Sequence, residues 1–581
     1  MAEGLKLYNE FKKTISEIGE IKMAWFTTFN LSLDFFEKYV LSALVQTNPF
    51  DIKNIKDFEA LNDRIVNADS GSVDVKVFHD YRAMRPDIKR TSVQTIAIKP
   101  KSIGKSFTHG VFHPKVTLLV NKKNEAWLVT GSANLTLSAW SKNSESVVFK
   151  KIDDKVNAQA ITDFFLGLLP NISDRNKINS LNIEWQKGLK PEAKWKFIHS
   201  ISKHRLLDYI KEDTCKDMFV WSPYFSDEFL NIIKEDLSWV NNLNVIPDLT
   251  TSGAMRLSSE VVLEVLATPK VKLHKDLYEY GKELLVHAKV WCTTSKLAIG
   301  SWNFTKAGLN IAINANNIEA GVVEDINDYT YQALKQSFQL KRIDVPKGMR
   351  KEDIDDEKKE LLFDWTINCQ IYVDWSTYQY RFESEDNSSF ESLFIDLPGK
   401  KNRISAKQVL NSGVSFYKEH KSLLKDRLFT VYDKEEGGNK VYLGVIIELN
   451  PMERPSVGFE SLSDLLRAWS DRKPENKSQY HQINYQPDTE TGEELSDKII
   501  KALKGDYSNA WFTMFLAFEQ IRIRLEEAKT DARELSMIGY RIPGSVSQLS
   551  EHLMRLKEQM ISTNTEMSSS FIWFMINEET K

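Results

Sequence analysis

Residues 110–120 read GVFHPKVTLLV and residues 283–294 read ELLVHAKVWCTT. In both, a His stands two positions before a Lys, His113 with Lys115 and His287 with Lys289, inside a run rich in β-branched and apolar residues. Side chains at i and i+2 of an extended chain project from one face, so each stretch offers an imidazole and an ammonium to a common pocket. Of the 10 histidines in the chain, these are the two followed by Lys at that spacing. A second strand-like run follows each and ends in Gly-Ser-x-Asn: WLVTGSANLT at 127–136, with Asn134, and LAIGSWNFT at 297–305, with Asn303. A third element closes each copy, Asn143-Ser144-Glu145 and Asn317-Ile318-Glu319. Each element alone is commonplace. Three of them in the same order, twice, indicate a duplicated unit with its chemistry kept in both copies.

The duplication extends upstream. AWFTTFNL at 24–31 reads as a buried strand and runs into Ser32, a candidate N-cap before the helix-spaced FFEKYVLSALV at 35–45. MFVWSPYF at 218–225 runs in the same way into Ser226, with Asp227 and Glu228 in the expected first turn. VDVKVF (73–78) and VQTIAIKP (93–100) supply further strands to the first copy, LNVIP (243–247) and KVKLH (270–274) to the second. Strands alternating with helices predict an α/β fold of two similar lobes, each a mixed sheet flanked by helices. The first lobe and its connection are expected over 1–200 and the second over 201–345.

Past the second copy, KRIDVPKGMRKEDIDDEKKE (341–360) is charge-dense with little to bury and reads as a linker or solvated helix. A β-rich module is expected within 346–450, including a hairpin about Lys434–Asn439, and a helical module over 451–581. The aromatics Trp511, Phe512, Phe515 and Phe518 recur at helical spacing and are expected in a core.

A chain of 581 residues exceeds one ordinary core. With 42% hydrophobic and 27% charged residues it reads as soluble and globular, and it has no apolar run approaching the roughly 18 residues of a membrane span. Lys and Arg number 77 against 81 Asp and Glu, a formal net charge of −4, so bulk charge names no polyanionic partner. Cys215, Cys292 and Cys369 lie far apart, which excludes a disulfide scaffold and a zinc ribbon; with no secretory pattern at the amino terminus, a cytoplasmic location is expected.

The duplicated HxK, GSxN and NxE motifs resemble the phospholipase D superfamily, in which two lobes bring both motifs to one active site. The resemblance covers about residues 20–340. It implies a phosphodiesterase, with His113, Lys115, Asn134, Glu145, His287, Lys289, Asn303 and Glu319 as the catalytic set. The chemistry of those residues agrees. An anionic phosphodiester needs a nucleophile that is not itself an anion, cations for the equatorial oxygens and an acid for the leaving oxygen. One neutral imidazole can attack phosphorus while the other, protonated, serves the leaving group, with Glu145 and Glu319 orienting the rings. No metal or other cofactor is expected, because lysines carry the charge compensation. By the resemblance, His113 is the nucleophile and His287 the acid and base.

The superfamily's usual Asp, five positions after each Lys, is replaced by Val120 and Thr294. That departure is similar to the tyrosyl-DNA phosphodiesterase branch, and appended modules are similar in outline to phospholipase D-like nucleases of bacterial restriction and phage defence. The expected substrate is therefore a nucleic acid, DNA ahead of RNA, cleaved by a nuclease or DNA-end-processing enzyme. The alternative is a phospholipid phosphodiesterase or transphosphatidylase. A protein partner could engage the carboxy-terminal modules; no membrane association is expected. Lys99, Lys101 and Lys105, just upstream of the first motif, suit an anionic backbone or a solvated loop equally well.

Overall fold

The computed structural model describes residues 6–450 apart from several short stretches, chiefly 51–64, 66–72, 86–90, 277–284, 351–364, 385–389 and 416–419. The expected helical module at 451–581, with its aromatic run, lies outside the described residues. The chain divides into two units, one of residues 1–46 and 71–449, the other of 47–70 and 450–581. The first unit contains both copies of the motif set.

The strand runs read from the sequence build two sheets of one design. The first sheet comprises β1 (Ile21–Thr28), β2 (Asp74–Asp80), β3 (Gln94–Ile98), β4 (Val116–Asn121), β5 (Ala126–Gly131) and β6 (Val147–Ile152), in the order β3-β2-β1-β4-β5-β6. The second comprises β7 (Trp195–His199), β8 (Cys215–Ser222), β9 (Val240–Pro247), β10 (Val271–Asp276), β11 (Val290–Cys292), β12 (Lys296–Gly300), β13 (Ala320–Asp325) and β14 (Leu340–Arg342), in the order β14-β10-β9-β8-β11-β12-β13-β7. In each, three parallel strands are joined to a run of antiparallel ones, three in the first sheet and four in the second, where β14 adds a further antiparallel strand at the other edge: β1 lies parallel to β2 and antiparallel to β4, as β8 lies parallel to β9 and antiparallel to β11. The mixed α/β architecture expected from the repeat is the one observed.

Alternation of helix and strand demands cover on the sheet faces. Trp25, Phe78, Leu118 and Leu128 of the first sheet are almost wholly buried and share a core with Ile161, Phe164 and Phe165 of helix α1 (Lys155–Leu168) and Ile178 and Leu181 of helix α2 (Ile172–Gly188). Phe197, Ala320 and Val322 of the second sheet enter the same core. The opposite face of the second sheet carries Met218, Val220, Leu243 and Val245 against Val261, Val262 and Val265 of helix α3 (Ser259–Leu266).

Local sequence explains the helix entries unequally. Ser32 caps as expected, its hydroxyl accepting the Phe35 N–H at 3.3 Å, and a continuous helical segment follows to Leu44. Ser226 does not cap with its side chain. The helix begins at Phe229, Ser226 contributes only its backbone carbonyl to the Phe229 N–H, and its hydroxyl is buried without a hydrogen bond.

Two stretches differ from their reading. Trp195–His199, read as part of the first lobe and its connection, is β7 and pairs antiparallel with β13 at the rim of the second sheet. The start of the charged 341–360 segment is strand as well: β14 pairs with β10, and Lys347–Met349 pairs with Ala254–Ser258. Backbone hydrogen bonding to an open sheet edge needs no buried side chain, as in β14, whereas β7 buries Trp195, Phe197 and Ile198 and its sheet is decided by its pairing.

The β-rich region holds two four-stranded sheets, one built on the pair β15 (Cys369–Asp374) and β16 (Gln379–Ser384), the other on β17 (Phe394–Asp396), β18 (Leu428–Tyr432) and β19 (Lys440–Val445). The β18–β19 hairpin turns through the expected residues, with Gly437 at φ +62°. This region packs on the β3 edge of the first sheet, where the buried Arg427 donates to the Thr91 carbonyl at 2.7 Å and pairs with Glu448 at 2.9 Å. All three cysteines are free and buried.

Candidate active site

Both HxK stretches lie at the carboxyl ends of the parallel strands, where open α/β sheets place their ligand crevices. His113 and Lys115 sit in the extended lead-in to β4, and His287 and Lys289 in the lead-in to β11. They are not inside the ladders of their own sheets because their backbone partners come from the other lobe. The His113 N–H donates to the Ile318 carbonyl at 3.0 Å, and the His287 N–H donates to the Ser144 carbonyl at 2.9 Å. Isolated bridges Phe112–Ile318 and Ser144–Val286 mark the same two seams. Each HxK stretch is thus stitched to the NxE stretch of the opposite lobe.

The side chains repeat this exchange. His113 Nδ1 lies 2.9 Å from Glu319 Oε2, and His287 Nδ1 lies 2.9 Å from both carboxylate oxygens of Glu145. Each carboxylate is held by its own lobe: Glu145 accepts from Ser132 Oγ at 2.5 Å and Asn143 Nδ2 at 3.2 Å, and Glu319 from Ser301 Oγ and, at 3.0 Å, Asn317 Nδ2. Ser132 and Ser301 are the serines of the two GSxN motifs. Their second role is to accept the backbone N–H of the residue after each Glu, Ser146 at 2.9 Å and Ala320 at 3.0 Å. The glycine before each serine has a steric cause. A Cβ on Gly131 would lie 2.0 Å from the Ser146 carbonyl oxygen, and one on Gly300 would lie 2.6 Å from the Ala320 carbonyl oxygen. With Nδ1 of each ring engaged by a carboxylate, Nε2 is the nitrogen left for chemistry.

The lysines are buried beside the rings. Lys115 Nζ donates to the His113 carbonyl at 2.6 Å, and Lys289 Nζ to the His287 carbonyl at 2.9 Å. Asn134 Oδ1 accepts, at 3.4 Å each, from the Thr28 hydroxyl and the Asn30 N–H, so its amide N–H groups are left for the crevice. Asn303 Oδ1 is buried without a hydrogen-bond partner. Phe29, half-buried, sets its ring edge-on to His113 with centroids 5.5 Å apart and 5.7 Å from Lys115 Nζ.

Electrostatics make the two halves unequal. Burial, then the charges of Lys115, Lys289 and His287, push His113 well below the ordinary imidazole value. Burial also lowers His287, but the charge and hydrogen bond of Glu145 pull in the other direction. Burial lifts Glu319 to about 8, against the opposing effects of Lys115 and Ser301. Glu145 is buried too, yet His287 and Lys289 hold it below the usual carboxylate range. Burial and Lys289 carry Lys115 far below the ordinary ammonium value, and burial brings Lys289 to about 8. Burial of both ammonium groups, with Lys289 acting on Lys115, favours loss of a proton. An anion bound there would restore both charges.

The structure therefore brings His113, Lys115, Glu145, His287, Lys289 and Glu319 into one buried cluster, with Asn134 and Asn303 on the turns that follow the strands paired with the two HxK strands. Among the described residues no group of three or more His, Cys, Asp or Glu side chains is arranged to hold a metal ion. Of the upstream lysines, Lys99 lies with Nζ 5.7 Å from the Tyr81 ring centroid, while Lys101 and Lys105 are exposed. The sequence reading did not single out Ser132, Ser301 or Phe29, although both serines sit inside the motif it quoted.

Two lobes of one topology thus meet across a doubled His and Lys set, each imidazole paired with a carboxylate of the other lobe. Residues 49–167 match the family model described as "Cardiolipin synthase, PLD-like domain". That match places a PLD-like domain over the stretch that contains the first HxK and GSxN motifs. Among solved structures it is similar to the yeast tyrosyl-DNA phosphodiesterase, at 14% identity and a TM-score of 0.36 over 54% of this chain and 85% of that one. It is also similar to phosphatidylserine synthase of Haemophilus influenzae, at 12% identity and a TM-score of 0.36 over 59% of this chain and 86% of that one. A third is the phospholipase D family member Nuc of Salmonella typhimurium, at 15% identity and a TM-score of 0.19 over 26% of this chain and 97% of that one. No curated protein matches the sequence. Among the described residues no helix is long and apolar enough to cross a membrane.

Proposed function

We propose that this chain hydrolyses nucleic-acid phosphodiester bonds, DNA ahead of RNA, through a phosphohistidine formed on His113. The observation that carries the reading is the cross-lobe pairing of each imidazole with a carboxylate 2.9 Å from its Nδ1, which orients both Nε2 atoms for chemistry. His113, held neutral by its surroundings, attacks phosphorus with Nε2. The P–N bond forms as the P–O bond to the leaving oxygen breaks, and His287, an imidazolium stabilised by Glu145, gives its proton to that oxygen. Water then attacks the phosphohistidine, His287 takes the water proton, and the P–N bond breaks to regenerate His113. Lys115 and Lys289 balance the charge on the non-bridging oxygens, and the amides of Asn134 and Asn303 donate to them.

Two observations support a nucleic-acid substrate: Val120 and Thr294 stand where the superfamily's usual acids would be, a departure similar to the tyrosyl-DNA phosphodiesterase branch, and Phe29 offers an aromatic surface beside His113 on which a base can stack. A second reading, phospholipid cleavage or transphosphatidylation, is favoured by the description of the family model matched at 49–167. The test incubates labelled single- and double-stranded DNA, RNA and a phospholipid vesicle with wild-type protein, His113→Ala and His287→Ala in excess EDTA. Cleavage of nucleic acid that survives chelation and is lost in both variants supports the proposal. Cleavage of phospholipid alone replaces it with the second reading, and no cleavage of any substrate overturns both.

A further inference from the structure

Strands β2 and β9 occupy the same place in their sheets, each between two parallel neighbours, and the parallel run of each ends on an aspartate. Asp80 closes β2, and Asp248 directly follows β9. Asp80 Oδ2 accepts the N–H of Phe112 at 2.8 Å, and Asp248 Oδ1 accepts the N–H of Val286 at 2.8 Å. Phe112 and Val286 immediately precede His113 and His287. Both carboxylates are buried, with relative exposures of 0% and 2%.

From this duplicated contact we infer that Asp80 and Asp248 are positioning residues that aim the two imidazoles at a shared phosphorus. The inference rests on the proposed function of the site. Two consecutive N–H groups are held on each side: the first by the carboxylate of the same lobe, the second, that of the His itself, by a carbonyl of the other lobe. The backbone under each ring is thereby clamped between lobes. A charged acceptor makes the clamp stiffer than a neutral one, and a displacement of about 1 Å at a reacting group costs on the order of 100-fold in rate.

The two are not equivalent. Asp80 also binds the Arg82 guanidinium through both oxygens, at 3.0 Å to Nε and 3.0 Å to Nη2, and Arg82 Nη2 reaches the Gly110 carbonyl at 2.9 Å. With Asn317 Oδ1 accepting the Val111 N–H at 3.2 Å, the approach to His113 from residue 110 onward is fully tied down. Asp80 further belongs to the carboxylates, with Glu319 and Glu145, whose field favours the charged form of Lys115. Asp80 therefore serves charge as well as geometry.

The experiment compares Asp80→Ala, Asp80→Asn, Asp248→Ala and Asp248→Asn with wild type. A labelled oligonucleotide, whose alkoxide leaving group needs the acid, is the substrate, kcat and KM are measured separately across pH, and thermal melting reports folding. Folded Ala variants should lose about 10- to 100-fold in kcat with KM within about threefold of wild type. Both Asn variants, which keep an acceptor oxygen, should regain kcat over the matching Ala variants, and Asp80→Asn should in addition lose kcat/KM at lower pH than wild type does. Should either Ala variant fail to fold, the Asn variants carry the comparison. Wild-type kcat in all variants, losses that track only the folded fraction, or an Asn at 248 that does not rescue would each overturn the inference. An inactive wild type on every phosphodiester would instead sink the proposed function.

Discussion

Replacing Glu145 by Gln should slow the enzyme far more than replacing Glu319 by Gln, although sequence presents the two as equals. Glu145 lies 2.9 Å from His287 Nδ1 and is held in its ionised form. A hydrogen bond between charged, buried partners is worth about 1.5–3 kcal/mol. At about 1.4 kcal/mol per tenfold, its loss disfavours the His287 imidazolium against the neutral ring. The acid form at pH 7 then falls about 10- to 100-fold, and kcat with it. Glu319, at about 8, is mostly protonated at pH 7, so Gln replaces one neutral group with another that still accepts from His113 Nδ1–H. That change should cost no more than about threefold. The assay is single-turnover cleavage of two substrates, one with an alkoxide leaving group and one with p-nitrophenolate, which needs little help from an acid. Glu145→Gln should impair the first and spare the second. Equal losses for the two Gln variants, or a Glu145→Gln loss indifferent to the leaving group, would refute the assignment of unequal protonation to the halves.

Quenching wild type and His287→Ala during turnover with alkaline denaturant should trap the substrate's acid-labile phosphoryl group on His113; its absence in both, by mass spectrometry kept at alkaline pH, would remove the covalent step. Lys289, at about 8, gives up its proton as pH rises through that value, so kcat/KM should fall above about pH 8, and a profile flat to pH 10 would contradict the role given to its charge. Vanadate or inorganic phosphate placed between Lys115 and Lys289 should raise the melting temperature and take up protons on binding, since the anion restores both ammonium charges; calorimetry in buffers of different ionisation enthalpy reads the uptake. Trp25→Ala, at a side chain with 0% exposure in the first core, should cost about 3–5 kcal/mol in denaturant unfolding, whatever becomes of catalysis.

The two-lobe plan was legible from sequence because it is written in local features that occur twice. Apolar strand runs, the Ser32 cap and the glycines of GSxN each answer to forces acting within a few residues, and Gly131 and Gly300 cannot change without striking a neighbouring carbonyl. The eight polar residues of the site could be picked out for the same reason, since duplication separates a kept pattern from a chance one.

Contacts between distant segments lie beyond such reading. Nothing in either NxE motif says that Glu145 serves His287 and Glu319 serves His113, because that pairing exists only once the lobes face each other. The inequality of the two carboxylates arises from burial, which depends on everything packed around them and has no local signature. Asp80 and Asp248 end unremarkable strand runs, and only the folded chain shows each accepting the N–H before a histidine. β14 joins the second sheet through backbone groups that any residue carries, and β7, though it buries Trp195 and Phe197, takes its sheet from its pairing with β13, which no local run of residues specifies. Amino-acid order thus determined which groups the chain possesses and the elements that bear them, whereas packing of one lobe on the other decided their partners and their charge.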